Sequence, residues 1–454
     1  MGDFSQYYRC PERYESFFLK GPLSLDEGYF KFCDNILFGR VARSGSLDST
    51  TEACWDATTE VSIEAGRVHL PFDAAESLNN LRFEKYCSFL GQAHPASSLV
   101  GRAYYLLRTL LPLRVRRQLQ KARLNDWRQL KFPHWPVDHT VDKTMADLLL
   151  LSLRAHGVER IPFIWFWPEG ATSAAVVTHD VETSFGRNHT AMMMDIDDAF
   201  GMKASFQVVP EKRYKVSTSY IDSIWSRGFE VAVHDLNHDG RLYRDRSIFL
   251  ERVAKINQYR KLYRADGFRS AVLYRNQEWY EALDFSYDTS VPNVAHLDPQ
   301  HGGCCTVMPY LVGKLVELPV TVTQDYSLFH ILNDYSMNLW KQQIELILEN
   351  HGLINVIIHP DYSVSSRERA VFEALLSHLA KLRDERGVWI ALPRDVARWW
   401  RQRSEMKLVE DENGLRIEGE GKERARIAYA SEKDGRLAVE LCAAKTGCLV
   451  GNSN

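Results

Sequence analysis

The residues able to do chemistry fall in three short stretches. "AVVTHDVETS", from Ala175 to Ser184, ends an apolar run on His179, Asp180 and Glu182; "EVAVHDLNHDG" carries His234 and His238; "INVIIHPDYS" ends another apolar run on His359. Titratable groups set where a buried strand emerges are costly to charge and suited to acid–base work or metal binding. The spacing of four between His234 and His238 predicts both imidazoles on one side of a helical turn. A carboxylate from another strand would complete a facial metal site with open positions for water. A histidine pair alone is more often a pair of satisfied surface or core residues, and the metalloprotease HExxH pattern is missing, because Asp235 stands where its Glu would be. The joint pattern of an acidic strand end, a histidine pair and a His-Pro strand end is what points to one site.

Positioning these groups together requires strands whose ends meet. From Ile161 to about Trp400, strand-like runs ("AAVVTH", "KASFQVV", "FEVAVH", "GFRSA", "FSYDTS", "LVELPV", "NVIIHP", "VWIAL") alternate with helical stretches. That alternation predicts a parallel α/β sheet or barrel, in which the carboxyl ends of the strands share a face. The expected division is an N-terminal α+β region with basic amphipathic helices over 1–165, the barrel over 166–403, and a small antiparallel β module over 404–454 with a turn at Asp434-Gly435. Within the first region, Arg102, Arg108, Arg114, Arg116, Arg117, Lys121, Arg123, Arg128 and Lys131 face a single acid, Asp126, and Pro112 divides the segment into two helices. The simpler reading is a solvated basic face; the sharper one is a peripheral contact with an anionic membrane through 101–131.

At 454 residues the chain exceeds one typical domain, and 45% hydrophobic content suffices for a packed core. A net charge of -3 gives no whole-chain reason to expect nucleic acid, and none is expected as a partner. Eight cysteines lack the paired spacing of a zinc site or disulfide framework, so reduced thiols in the cytosol are expected. The N-terminal "MGDFSQYYRCPERYESFF" has no basic region leading into an apolar stretch, the myristoylation pattern fails, and no run reaches the ~18 apolar residues of a membrane span. A cytoplasmic protein, at most peripheral to the inner membrane face, is the expectation. Serine-hydrolase elbows, Walker loops and dinucleotide-binding glycine motifs do not occur.

From about Ala174 to Trp400 the chain resembles the polysaccharide deacetylase family, the NodB-homology group of metal-dependent carbohydrate esterases. The resemblance rests on the order and spacing of "THDVE", "HDLNH", "GFRS", "YDTS" and "IIHPDY". It implies a distorted (β/α) barrel and a divalent metal, usually zinc. It assigns Asp180 as base, Glu182, His234 and His238 as metal ligands, His359 as catalytic acid, and Arg269 as the residue orienting the base. The family's usual metal aspartate is here a glutamate, which leaves open whether Asp180 and Glu182 keep or exchange roles; "FRSAVLYRN" lacks the proline that follows the arginine in the family. The implied activity is metal-dependent removal of N-acetyl groups from a sugar in a glycan or glycan precursor. The alternatives are a catalytically inactive carbohydrate-binding protein on the same barrel, or a hydrolase of another non-peptide C–N bond. Tyr274, Arg275 and Asn276 are the candidates for contact with sugar hydroxyls. His179 is expected to face the other side of its strand, Asp288 to be structural, and the loop holding His296, Asp298, His301, Cys304 and Cys305 to shape a cleft rather than bind a second metal.

Overall fold

The computed structural model describes residues 2–43, 51, 54–89, 113–412 and 414–442. Residues 101–112 of the basic segment lie outside them. The chain gathers into two compact units, one from Met1–Leu90, His139–Ala171 and Trp399–Asn454, the other from Gly91–Asp138 and Thr172–Arg398.

The second unit is built on a nine-stranded sheet. Its strands are β1 (Ala174–Val181), β2 (Ser205–Val208), β3 (Glu230–His234), β4 (Gly267–Arg269), β5 (Tyr287–Asp288), β6 (Tyr310–Val312), β7 (Leu315–Glu317), β8 (Leu353–Ile358) and β9 (Trp389–Ile390). The order is β6-β7-β5-β4-β3-β2-β1-β8, with β9 pairing the start of β1. Every pairing is parallel except the β6–β7 hairpin. Parallel strands need both faces covered, so β1 ("AAVVTHDV") and β8 ("LINVII") are buried along their whole length. Each Val or Ile so buried contributes roughly 1.5–3 kcal/mol.

Helix α1 (Leu113–Arg123) precedes the sheet, and between the strands run α2 (Thr190–Ala199), α3 (Thr218–Ser226), α4 (Arg246–Tyr263), α5 (Asn338–Glu349) and α6 (Ser366–Arg386). Side-chain caps start α3 (Ser217 accepting from Tyr220 N–H) and α4 (Asp245 accepting from Ile248 N–H), while Gly387 at φ 68° stops α6. At Gly267 any side chain would strike the Tyr287 ring, 1.9 Å from an added Cβ, so glycine there lets β4 and β5 approach.

The sheet curls, and its seam is closed by side chains. Thr321 Oγ donates to the Leu353 carbonyl (2.7 Å) and accepts from Asn355 N–H (2.9 Å). Asn355 Nδ2 donates to Thr289 Oγ1 (2.9 Å) and to the Leu318 carbonyl (3.0 Å), and Val322 N–H reaches the Asn355 carbonyl at 3.3 Å. The chain leaving β7 thereby bonds to β8, giving the α/β distorted barrel expected from the sequence.

The first unit is α+β. Strand Arg160–Ile164 pairs antiparallel with Ile427–Lys433, which pairs with Arg436–Leu441 across the Asp434-Gly435 turn; both turn residues have positive φ, as a two-residue hairpin requires. Helix Thr140–His156 ends at Gly157 in the left-handed region (φ 60°). Buried Arg403 donates to the carbonyls of Tyr7 (2.7 Å), Ile164 (2.7 Å) and Trp165 (2.9 Å), tying three distant stretches of chain together. No helix among the described residues is long and apolar enough to cross a membrane, and the seven described cysteines form no disulfide with one another.

Candidate metal centre

Strand alternation sorts the residues of β1. Thr178 and Asp180 face inward, where Arg269 at the end of β4 donates to both, at 2.8 Å to Thr178 Oγ1 and 2.6 Å to Asp180 Oδ1. His179 faces outward, as expected: its Nε2 sits 2.9 Å from Asp197 on α2, and its ring packs on Phe206 and Phe372.

Glu182 follows β1, and its backbone is held from several sides. Its carbonyl accepts from Arg213 Nε (2.8 Å), the preceding Val181 carbonyl accepts from the Tyr214 hydroxyl (2.6 Å), and Thr183 donates to Asp361. From this anchored point the Glu182 carboxylate reaches 2.9 Å from His238 Nε2 and 4.0 Å from His234 Nε2. Ligand atoms of Glu182, His234 and His238 all lie within 4.8 Å of one another.

The two histidines do not share a helical turn. His234 is the last residue of β3, and both Asp235 (φ 55°) and His238 (φ 53°) adopt left-handed backbone, so a loop folds the second ring back to 4.8 Å from the first. A helix cannot start there, since successive right-handed residues are what a helix requires. His234 Nδ1 faces the Arg269 carbonyl at 3.1 Å, a contact that places the proton on Nδ1 and leaves the Nε2 lone pair free. Both Nε2 atoms are buried and turned toward the Glu182 carboxylate. Two buried imidazole nitrogens and a carboxylate converging on one point form a donor set that fits a divalent cation of the zinc type.

His359 follows β8. Asp325 grips it twice, accepting from its backbone N–H (2.7 Å) and lying 2.6 Å from Nδ1. Nε2 is thereby aimed at the cluster, 3.5 Å from Glu182 Oε1 and 4.0 Å from Asp180 Oδ2.

Burial by itself would raise both carboxyls and lower both imidazoles, and charge overrides it in each case. Arg269, His234 and His359 hold Asp180 below its ordinary range, and the three histidines hold Glu182 well below its own. Asp325 and Glu182 lift His359 well above an ordinary imidazole, and Asp180 and Glu182 raise His234. The carboxylates are therefore ionised, and His359 carries a proton near neutrality.

Below the arginine, Asp288 on β5 is paired in register with Glu317 on β7. Burial pushes both carboxyls up, and Asp288 lifts Glu317 further, so the pair keeps a proton. Asp288 accepts from Ser290 Oγ (2.9 Å), and Ser290 Oγ accepts from Ser270 N–H (2.9 Å), a structural chain beneath Arg269.

The remaining sequence candidates sit on the loop after β4. Val272 (φ 61°) and Leu273 (φ 53°) are left-handed, and Arg275 is buried with its guanidinium donating to the Leu273 carbonyl at 2.9 Å. Asn276 accepts from Glu278 N–H and Tyr274 is buried. In the following loop His296 bonds the Leu130 carbonyl (3.2 Å) and stacks on Trp135, while Asp298 accepts from Gln324 (2.8 Å). Among the described residues, Glu182, His234 and His238 form the one group placed to hold a metal ion. Asp325 was missed from sequence; its signal is an acid at the end of "LVELPVTVTQD".

No family model and no curated protein matches the sequence. Among solved structures, a protein assigned as a polysaccharide deacetylase from Mycobacterium smegmatis aligns over 52% of this chain and 93% of its own at 20% identity, TM-score 0.44. A CE4-family pseudoenzyme from Bacillus anthracis aligns over 50% and 65% at 13% identity, TM-score 0.31. A PuuE allantoinase aligns over 52% and 92% at 13% identity, TM-score 0.41.

Proposed function

We propose that the protein is a metal-dependent hydrolase that removes N-acetyl groups from a sugar in a glycan or glycan precursor. The observation that carries this reading is the convergence of Glu182 with the buried Nε2 atoms of His234 and His238 beside two oppositely prepared acid–base groups, Asp180 and His359.

A divalent cation, zinc by the chemistry of the donors, would be held by Glu182, His234 and His238 and supplies Lewis acidity toward water and an amide carbonyl. Asp180 is the proton acceptor: Arg269 fixes one of its oxygens and leaves Oδ2 facing the cluster. His359 is the donor. Amide cleavage stalls unless the departing amine is protonated, and Asp325 keeps the His359 proton in place and its Nε2 aimed inward. The geometry favours Glu182 as ligand and Asp180 as base over the exchanged roles, because Asp180 already spends Oδ1 on Arg269. The added methylene of Glu182 spans the distance to His238.

Acetate release from an N-acetylated oligosaccharide, measured with and without added zinc, tests the reading. Loss of turnover in both Asp180→Asn and His234→Ala is expected; unchanged turnover in those variants rules it out. Glycan binding without turnover would instead identify a non-catalytic binding protein, and turnover of small cyclic amides alone a different C–N hydrolase.

A further inference from the structure

Helix α1 presents two faces with different partners. On the inner side Leu124, just past its end, is buried, and Gln120 accepts a hydrogen bond from the Tyr326 hydroxyl. On the opposite side Val115 and Leu119 are 41% and 47% exposed, and exposed Ala122 continues the same row at i, i+4, i+7. The helix carries Arg114, Arg116, Arg117, Lys121 and Arg123 and no acid. Helical periodicity sets Arg123 along one flank of the apolar row and Lys121 along the other. A chain of net charge -3 thus carries, on one helix without acids, an apolar row left exposed among the described residues.

We propose that this face of α1 docks on an anionic lipid bilayer. Apolar side chains sinking between headgroups while flanking cations meet acidic lipid is the pattern of an interfacial helix. A nucleic acid would use the cations and leave Val115 and Leu119 unexplained.

The helix also touches the catalytic side of the barrel. Tyr326, its partner, follows Asp325, the residue that orients His359. The Tyr326 ring lies 5.6 Å from that of Tyr362, which lies 5.1 Å from His359. A protein held by α1 keeps its site at the bilayer surface, and its substrate is an acetylated sugar borne on a lipid carrier; this second step rests on the hydrolase reading above.

The test is flotation of the whole protein with vesicles of phosphatidylcholine alone or mixed with phosphatidylglycerol. The wild type floats with the mixed vesicles at low salt, is released by high salt and ignores the neutral ones. Leu119→Glu reduces flotation by about tenfold or more while keeping acetate release from a soluble acetylated sugar. A wild type that stays in the soluble fraction with acidic vesicles at low salt overturns the proposal, as does Leu119→Glu floating like the wild type. So does a sedimentation result in which Leu119→Glu merely splits a dimer. Flotation requires no turnover: floating without acetate release sinks the hydrolase reading alone, and acetate release without floating sinks the membrane surface alone.

Discussion

Glu182 works at a distance that an aspartate at the same backbone position would not cover. Its main chain is fixed by Arg213 and its neighbour Thr183 by Asp361, so the side chain cannot follow a shortened head. Glu182→Asp is therefore expected to weaken zinc binding at least about 10–100-fold, the loss seen even for partners outside the ligand set; calorimetric titration with zinc measures it. Proton and cation also compete for His234 Nε2. Because neighbouring carboxylates raise that imidazole, zinc affinity should fall as pH drops through a value above the ordinary imidazole range, with protons released on binding. Equal affinity at pH 8 and at about pH 6 would contradict this. For His359 the sign is opposite in effect: turnover needs its protonated form, so the alkaline limb of the kcat–pH profile reflects its raised pKa. Asp325→Asn removes the charge that raises it and should move that limb to lower pH, cutting kcat within the roughly 10²–10⁴-fold range of acid–base catalysis while KM changes little.

At the level of elements, β1, β3 and β8 were legible because continuous apolar runs end abruptly in polar residues, and parallel strands leave that signature. The joint placement of Asp180, Glu182, His234, His238 and His359 followed from those ends. The loop between the histidines was not legible: left-handed Asp235 and His238 carry no marker in sequence, whereas spacing of four imitates a helix. Strand β6 escaped notice because three residues, paired through a tight hairpin at Gly313, are too short to show a period. Asp325 escaped because its importance arises only when a separate strand end places His359 beside it. A buried carboxyl on β3 supplies a test of the sheet itself. Glu230 accepts from the Tyr287 hydroxyl (2.6 Å) and Arg394 N–H (3.2 Å), and burial lifts it to about 7. A carboxyl raised on folding favours the folded state while protonated, and that contribution is lost as pH climbs from near 4.5 through about 7. The loss is on the order of 3 kcal/mol. Glu230→Gln should flatten the dependence of the urea midpoint over that window.

For the whole molecule, composition and alternation suggested a barrel with smaller attachments, but not that the unit outside the barrel is assembled from three separated stretches of chain. Such long-range closure has no local pattern to betray it. Arg403 is the clearest joint of that unit, because its guanidinium satisfies carbonyls from residues 7, 164 and 165 in a buried setting. Arg403→Met should cost about 3–5 kcal/mol, the usual penalty for leaving buried partners unmatched, and lower the thermal midpoint. During synthesis the barrel stretch, Thr172–Arg398, emerges from the ribosome before Arg403 does. The helix Gly2–Tyr8, whose carbonyls that arginine claims, must wait through most of translation for that partner. Nascent chains stalled short of residue 403 should then be cut readily by protease near the front while their barrel resists.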